Sequence, residues 1–350
     1  MNKILVIQTA STGDVILSTP LIENLHSLFP SASIDLLLKK GNEGLFKGHP
    51  FLNRMIIWDK SKKYTDLFRI LGEVRRTRYE LVLNIQRFAL TGLITAASGA
   101  GKKIGFDKNP FSFLFNDRVK HEFTTGIHEV NRNLELIRPV LHAKADQEDA
   151  DNFKGNPEAV SLSSRPKLYP TSADKARINE YTNKAYVTVS PASLWFTKQY
   201  PGEKWVELIR GLPSGINIFL LGAGTDHSFC EGILSQSGRE SVINLSGELS
   251  FLESTALMQC ALMNYTNDSA PMHLASAVNA PVAVIFCSTV PEFGFGPLSD
   301  NQTIIQTTLS LKCRPCGLHG LNKCPLKHFQ CAWSVRADQF PLAPGNIPEL

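Results

Sequence analysis

The chain alternates short apolar runs with longer stretches of helical periodicity. Lys3 to Gln8, Ile34 to Leu38, Met55 to Trp58 and Leu81 to Ile85 have strand length, and Leu21 to Phe29 and Thr65 to Arg76 carry a helical pattern between them. Such alternation predicts a parallel sheet with covering helices. A second series follows a polar stretch around Asp146 to Arg165. Its strands are expected at Ala185 to Ser190, Ile216 to Leu221, Val242 to Leu245 and Pro281 to Phe286, with helical patterns at Trp205 to Arg210, Phe251 to Cys260 and Met272 to Val278. Two α/β series of similar size in 350 residues predict two Rossmann-like domains, 1–160 and 161–350.

Composition narrows the class without changing this picture. Hydrophobic residues at 43% and charged residues at 19% suffice for two cores, and no biased tract points to collagen, coiled coil or long disorder. The apolar run Ile4 to Ile7 is shorter than the roughly 7 to 15 residues of a signal-peptide core. No stretch approaches the roughly 18 apolar residues of a membrane-spanning helix, so a cytoplasmic protein with at most peripheral membrane contact is expected. Seven cysteines, an odd number, fit reduced thiols better than a disulfide framework.

Charge does change the picture, because it is uneven. The net charge is +4, but residues 1 to 120 hold 18 Lys and Arg against 10 Asp and Glu, giving +8 there and −4 in the remainder. Clusters at Lys39 and Lys40, Lys60 to Lys63, Arg75 to Arg78 and Lys102 with Lys103 would attract an anionic partner, the alternative being a solvated surface. No basic helix or aromatic platform suggests nucleic acid.

Ligands of open parallel sheets bind beyond the carboxyl ends of the strands, so the loops there carry the candidate chemistry. Gln8 to Asp14 follows the first strand, and Pro20 sets the next helix to begin near Thr19, leaving Asp14 in a loop. A carboxylate there can take a proton from an attacking hydroxyl, or Gly13-Asp14 is a turn. Tyr265 to Leu274 reads as a loop opening a helix. Asp268 and Ser269 suit either an N-cap or, with Ala270, a phosphate site at the helix start, and His273 either meets a phosphate or is a buried histidine. Ser193 ends the loop after another strand, with Lys198 shortly beyond; Gly222 and Asp226 lie in Leu221 to Asp226. Lys198 can neutralise a diphosphate and Asp226 can accept from ribose hydroxyls; otherwise both are surface residues. Near the end, Cys313, Cys316, Cys324 and Cys331 fit either a structural zinc site or reduced thiols.

Together, Gly13-Asp14 with Thr19-Pro20, Lys198 to Trp205 with Pro201, Leu221 to Asp226, and Asn267 to His273 followed by Ala280-Pro281 resemble glycosyltransferase family 9, the heptosyltransferases of lipopolysaccharide core assembly. Ala270 stands where that family usually has glycine. The resemblance implies an α/β GT-B architecture, two facing Rossmann-like domains with a cleft between them, the first binding the acceptor and the second a nucleotide sugar. It implies inverting transfer, from ADP-heptose to a lipopolysaccharide core or similar anionic glycolipid at the inner membrane face. By position, Asp14 matches the general base, Lys198 the diphosphate-binding lysine, Asp226 the nucleoside contact, and Asp268 to His273 the phosphate-binding helix start. The nucleotide-diphosphate sugar is the co-substrate and no further cofactor or metal is called for, since no DxD-type site is evident. The alternatives are a sugar-nucleotide epimerase of the same fold and a catalytically silent nucleotide- or glycan-binding protein.

Overall fold

The structure, a computed structural model, describes residues 1–122, 126–145 and 161–341, with only the backbone of Lys63 and Ala145. Pro344, Pro348 and most of the polar stretch after Asp146 lie outside the described residues. The chain divides into two compact units, Met1–Lys167 and Leu168–Leu350.

The first unit holds six strands, β1 (Lys3–Gln8), β2 (Ser33–Lys39), β3 (Leu52–Trp58), β4 (Leu81–Asn84), β5 (Lys102–Phe106) and β6 (Asp117–Val119). Its α-helices are α1 (Thr12–Ile16), α2 (Thr19–Leu28), α3 (Lys63–Thr77), α4 (Ala89–Ala97), α5 (Glu129–Leu134) and α6 (Arg138–Ala145). The second unit repeats the plan with β7 (Tyr186–Ser190), β8 (Asn217–Leu220), β9 (Val242–Asn244), β10 (Asn264–Asn267), β11 (Val282–Phe286) and β12 (Gln302–Gln306). Its helices are α7 (Ser172–Ile178), α8 (Gly202–Gly211), α9 (His227–Ser237), α10 (Phe251–Cys260), α11 (Ala270–Ala277) and α12 (Gln330–Trp333).

Every strand pairing is parallel, in the orders β3-β2-β1-β4-β5-β6 and β12-β11-β10-β7-β8-β9. These are the same doubly wound order, and in each sheet the winding reverses once, between β1 and β4 and between β7 and β10. A crevice opens at such a switch point because the loops on either side leave in opposite directions. Helices cover both faces, so the central strands are buried throughout; β4, β7 and β11 have no exposed residue.

Three expectations change. The domain boundary falls after Lys167 rather than after 160, because residues 161–167 are tied to α2: Asn24 Nδ2 donates to Ser163 O at 2.8 Å, and Lys167 N donates to Thr19 Oγ1 at 2.9 Å. Asp14 is not in a loop. It lies in the first turn of α1, a single turn closed by Val15 N to Ser11 O and Leu17 N to Gly13 O, both 3.0 Å, before α2 opens at Thr19 as expected. Finally, Tyr265 to Asn267 is strand rather than loop. β10 is fully buried although three of its four residues are polar. Asn264 Oδ1 accepts from Thr188 Oγ1 at 2.6 Å while its Nδ2 donates to Met258 O and Pro281 O, so neighbouring elements meet the polarity that apolar patterning cannot reveal.

Toward the end of the described chain, α12 and a short turn bring Phe340 onto Tyr200 and Trp205, whose rings meet edge to face at 5.2 Å. Trp205 is wholly buried there, a core residue of the second unit.

Two buried histidines give the first unit a pH signature. Desolvation lowers His49 and His121 to about 4, even though Glu23 stands 3.7 Å from His49. Both bind protons more tightly when unfolded, so their contribution is complete above about pH 6.5 and is lost as pH falls towards about 4, at about 1.4 kcal/mol per pH unit for each. The urea midpoint should therefore fall between about pH 7 and about pH 5, and His49→Gln with His121→Gln should flatten that slope. An unchanged slope in the double variant would show that other groups set it.

Candidate active site

The switch point of the second sheet gathers most of the candidate residues. The chain leaves β7 through Pro191–Ser193 and turns at Phe196–Lys198; beside it, β10 ends into Asp268 and α11. Lys198 Nζ meets Asp268 Oδ2 at 2.7 Å, with 16% and 6% of the two side chains exposed. Thr289 Oγ1, beyond the end of β11, donates to the same carboxylate oxygen at 2.6 Å. An ion pair so far out of water survives only when its remaining hydrogen-bonding capacity is also met, as Thr289 does here.

The surroundings hold this pair in place. Asn267 is fully buried; its Nδ2 donates to Pro191 O at 2.8 Å and its Oδ1 accepts from Tyr200 N at 2.9 Å, which locks the β7 loop against β10. Thr197 N donates to Leu321 O at 3.0 Å, and Thr197 Oγ1 accepts from Leu321 N at 2.8 Å. Gly320, at φ +79, lies on the Lys198 stem so closely that a Cβ would stand 2.8 Å from Lys198 Cγ. A larger residue there would push the lysine away.

Neither candidate side chain caps α11. Ser269, the N-cap residue, makes no side-chain cap bond, and Asp268 faces Lys198 instead. The dipole of α11 favours an anion at its N-terminal end. Ala270 is the first residue of that helix and is not among the positive-φ residues, so alanine fits where glycine was the family expectation. His273 sits one turn in and is 5% exposed, a buried histidine. Ser193 N donates to Gln199 Oε1 at 3.1 Å, bracing the same loop.

Gly222 and Asp226 stand one strand over, after β8. Asp226 Oδ2 accepts from Ala223 N at 2.8 Å, and a Cβ on Gly222 would come within 3.0 Å of that oxygen. The glycine keeps the turn tight and the turn fixes the carboxylate.

In the first unit, Asp14 occupies the carboxyl edge at the β1 side of the switch point. Ser11 Oγ donates to Asp14 Oδ2 at 2.5 Å, Gln8 Nε2 donates to Asp14 O at 3.3 Å, and Gln86 Nε2, after β4, donates to Gln8 Oε1. Glu129 belongs to the same neighbourhood: burial raises its pKa, the Arg132 guanidinium at 2.8 Å opposes this, and Asp14 adds to the rise. Sequence reasoning missed Gln86 and Thr289, although both follow the carboxyl ends of strands, where ligands of such sheets bind. It also missed Gly320 and Glu129, for which no such signal exists.

The C-terminal cysteines lie together, and Cys313, Cys316 and Cys324 line a cavity of about 240 Å³ with Pro325 and Leu326. All seven cysteines are free thiols, and burial pushes Cys331 up to about 11. Among the described residues no three His, Cys, Asp or Glu side chains are placed to hold one metal ion. The segment supports the site. Arg314 donates to Cys287 O at 2.7 Å and to Thr289 O at 2.8 Å, and Cys316 N donates to Ser288 O at 3.0 Å, so it clamps the end of β11 that carries Thr289.

This fold is shared with a solved structure, the E. coli ADP-heptose lipopolysaccharide heptosyltransferase II, at a TM-score of 0.76 and 21% identity, covering 96% of each chain. Two Rossmann-ordered units in one chain define the GT-B fold class. The chain belongs to glycosyltransferase family 9 (heptosyltransferase), whose sequence model matches residues 67–320. It is therefore a glycosyltransferase. Among curated relatives it is 26% identical to lipopolysaccharide heptosyltransferase 3 of Escherichia coli over 303 residues, covering 83% of this chain and 84% of that one. It is 25% identical to lipopolysaccharide heptosyltransferase 1 of Campylobacter coli over 299 residues, covering 82% and 84%.

Proposed function

We propose that the protein transfers a heptosyl group from ADP-heptose, with inversion, to an anionic glycolipid acceptor of the lipopolysaccharide-core type, acting at the cytoplasmic face of the membrane. The observation that carries the donor half is the buried Lys198–Asp268 pair beside the N-terminal end of α11 at the β7–β10 switch point. A lysine and a helix N-terminus in one crevice suit a diphosphate. The structural neighbour named for ADP-heptose supports the choice of donor.

The first unit takes the acceptor, whose anionic groups suit the +8 charge of residues 1 to 120. Asp14 removes the proton from the acceptor hydroxyl as its oxygen bonds to the anomeric carbon. The bond from that carbon to the diphosphate breaks, and its electron pair leaves on ADP. Lys198 and α11 stabilise the leaving charge as it develops, which is where binding energy lowers the barrier. Asp226 holds the ribose hydroxyls.

A thermal-shift panel of ADP-, GDP- and UDP-sugars tests the donor. A ligand that binds only the folded protein adds about 2.7 kcal/mol at a hundredfold excess over Kd. ADP-heptose should raise the melting point most, and heptosylated acceptor with released ADP should appear on adding a lipopolysaccharide-core acceptor. A larger shift with a UDP- or GDP-sugar would reject the donor assignment.

A further inference from the structure

Asp14 sits on a helix that cannot hold itself in place. α1 is a single turn, and a first turn fixes several backbone angles in return for very few hydrogen bonds, so alone it is unstable. Its N-cap residue, Ser11, makes no side-chain cap bond; the hydroxyl donates to the Asp14 carboxylate. The ladder between β1 and β2 ends at Gln8 opposite Leu38, short of the residues that lead into α1. Side chains take over there. Gln8 Oε1 accepts from Ala10 N at 3.2 Å, and its Nε2 donates to Asp14 O. The second grip is Asn42, whose Nδ2 donates to Ala10 O at 3.2 Å and whose Oδ1 accepts from Thr12 Oγ1 at 3.0 Å. Ala10 is thus held by both its N–H and its carbonyl, and Thr12 is the first residue of α1.

Asn42 has the residue type and the place of an N-cap, at the start of the short 3-10 turn Glu43–Phe46, yet its side chain makes no cap bond there. It is 5% exposed, so water competes little for its amide, and both ends of that amide go to the chain just before Asp14. A side-chain amide offers donor and acceptor as a peptide unit does, so Asn42 stands in for the strand neighbour that the chain lacks beyond Gln8. Gly41, at φ +99, gives the turn after β2 a left-handed step that a side chain would resist, and Gly41 N donates to Glu43 Oε2 at 2.6 Å. Lys60 Nζ adds a tie to Thr9 O at 2.7 Å, but Lys60 is exposed and reaches no residue of α1. We infer that Asn42 is a positioning residue for the transfer, fixing the one-turn helix so that the Asp14 carboxylate stays aimed at the acceptor hydroxyl. The inference rests on Asp14 being the base; Asn42 acts through it and is not a catalytic residue.

A double-variant cycle on the full chain tests this. Asn42→Ala removes both bonds and should slow single-turnover release of ADP, with a lipopolysaccharide-core acceptor saturating, about tenfold, since a reacting group misplaced by about 1 Å can cost about 10²-fold. The melting shift given by ADP-heptose should stay parental, because Asn42 and α1 belong to the first unit and Lys198 and Asp268 to the second. Thr12→Val keeps the shape of the side chain while removing one of the two bonds, and should give a smaller loss of the same kind; it takes the place of Asn42→Ala in the cycle if that variant does not fold. The deciding comparison is in the Asp14→Asn background. With no base left to aim, Asn42→Ala should slow the reaction by at most about twofold more. The same fold-loss in both backgrounds, a loss confined to donor binding, or parental rates for both Asn42→Ala and Thr12→Val would overturn the positioning role and leave Asp14 as the base. A near-parental rate for Asp14→Asn alone would overturn the base reading, and the positioning role with it.

Discussion

Asp14→Asn is expected to fold as the parent does and to lose about 10²-fold or more in turnover, because the amide keeps the shape of the carboxylate but cannot take a proton. The structural cost should be small. Asn can still accept the hydrogen bond from Ser11 Oγ, and what is lost is a first-turn charge on α1, a helix of a single turn, for about 0.3 to 1 kcal/mol at most. The loss should therefore appear in single-turnover release of ADP with acceptor saturating, while donor binding stays near parental. Ser11→Ala should do less, since it removes only the group that orients the carboxylate. An Asp14→Asn enzyme turning over at near the parental rate would remove Asp14 as the base and direct attention to Glu129, the other carboxylate of that neighbourhood.

The doubly wound fold was legible wherever burial on both faces demands an unbroken apolar run. Lys3–Gln8 and Phe251–Cys260 have the bounds that periodicity predicts. β10 was not, because Asn264 and Asn267 obtain their partners from residues distant in the chain, and a pattern of apolar positions holds no record of those partners. The one-turn helix around Asp14 is too short for periodicity to register, so Gly13-Asp14 reads as a turn. At the site, strand ends identified Asp14, Lys198 and Asp268 individually. Their chemistry differs from what each suggests alone: Asp268 has the residue type of an N-cap, yet it is a counter-ion, and only the switch-point geometry brings the Lys198 loop against it. Thr289 and Gly320 join the site because β11 and the Cys313–Cys324 segment pack there, a fact written in contacts rather than in spacing.

That pairing makes the outcome at Lys198 twofold. Lys198→Ala removes a charge-assisted contact to the diphosphate, for which hydrogen bonds to charged groups contribute roughly 1.5 to 3 kcal/mol, so donor efficiency should fall about 10- to 100-fold. It also leaves the Asp268 carboxylate buried without its counter-ion, with only Thr289 still donating to it. Breaking a buried pair from one side costs about 3 to 5 kcal/mol, so a lower melting point is expected alongside the kinetic loss. The two effects separate in the double variant Lys198→Ala with Asp268→Asn. Neutralising Asp268 removes the stranded charge and keeps a partner for Thr289, so stability should largely return; nothing then replaces the lysine at the diphosphate, so donor efficiency should stay low. If the lysine acts mainly as the leaving charge develops, the deficit will lie in kcat; if it holds ground and transition states alike, it will lie in the donor KM. A double variant that regains both its melting point and its kcat/KM for the donor would show that Lys198 serves only to neutralise Asp268, and the diphosphate would then have to be held by α11 without it.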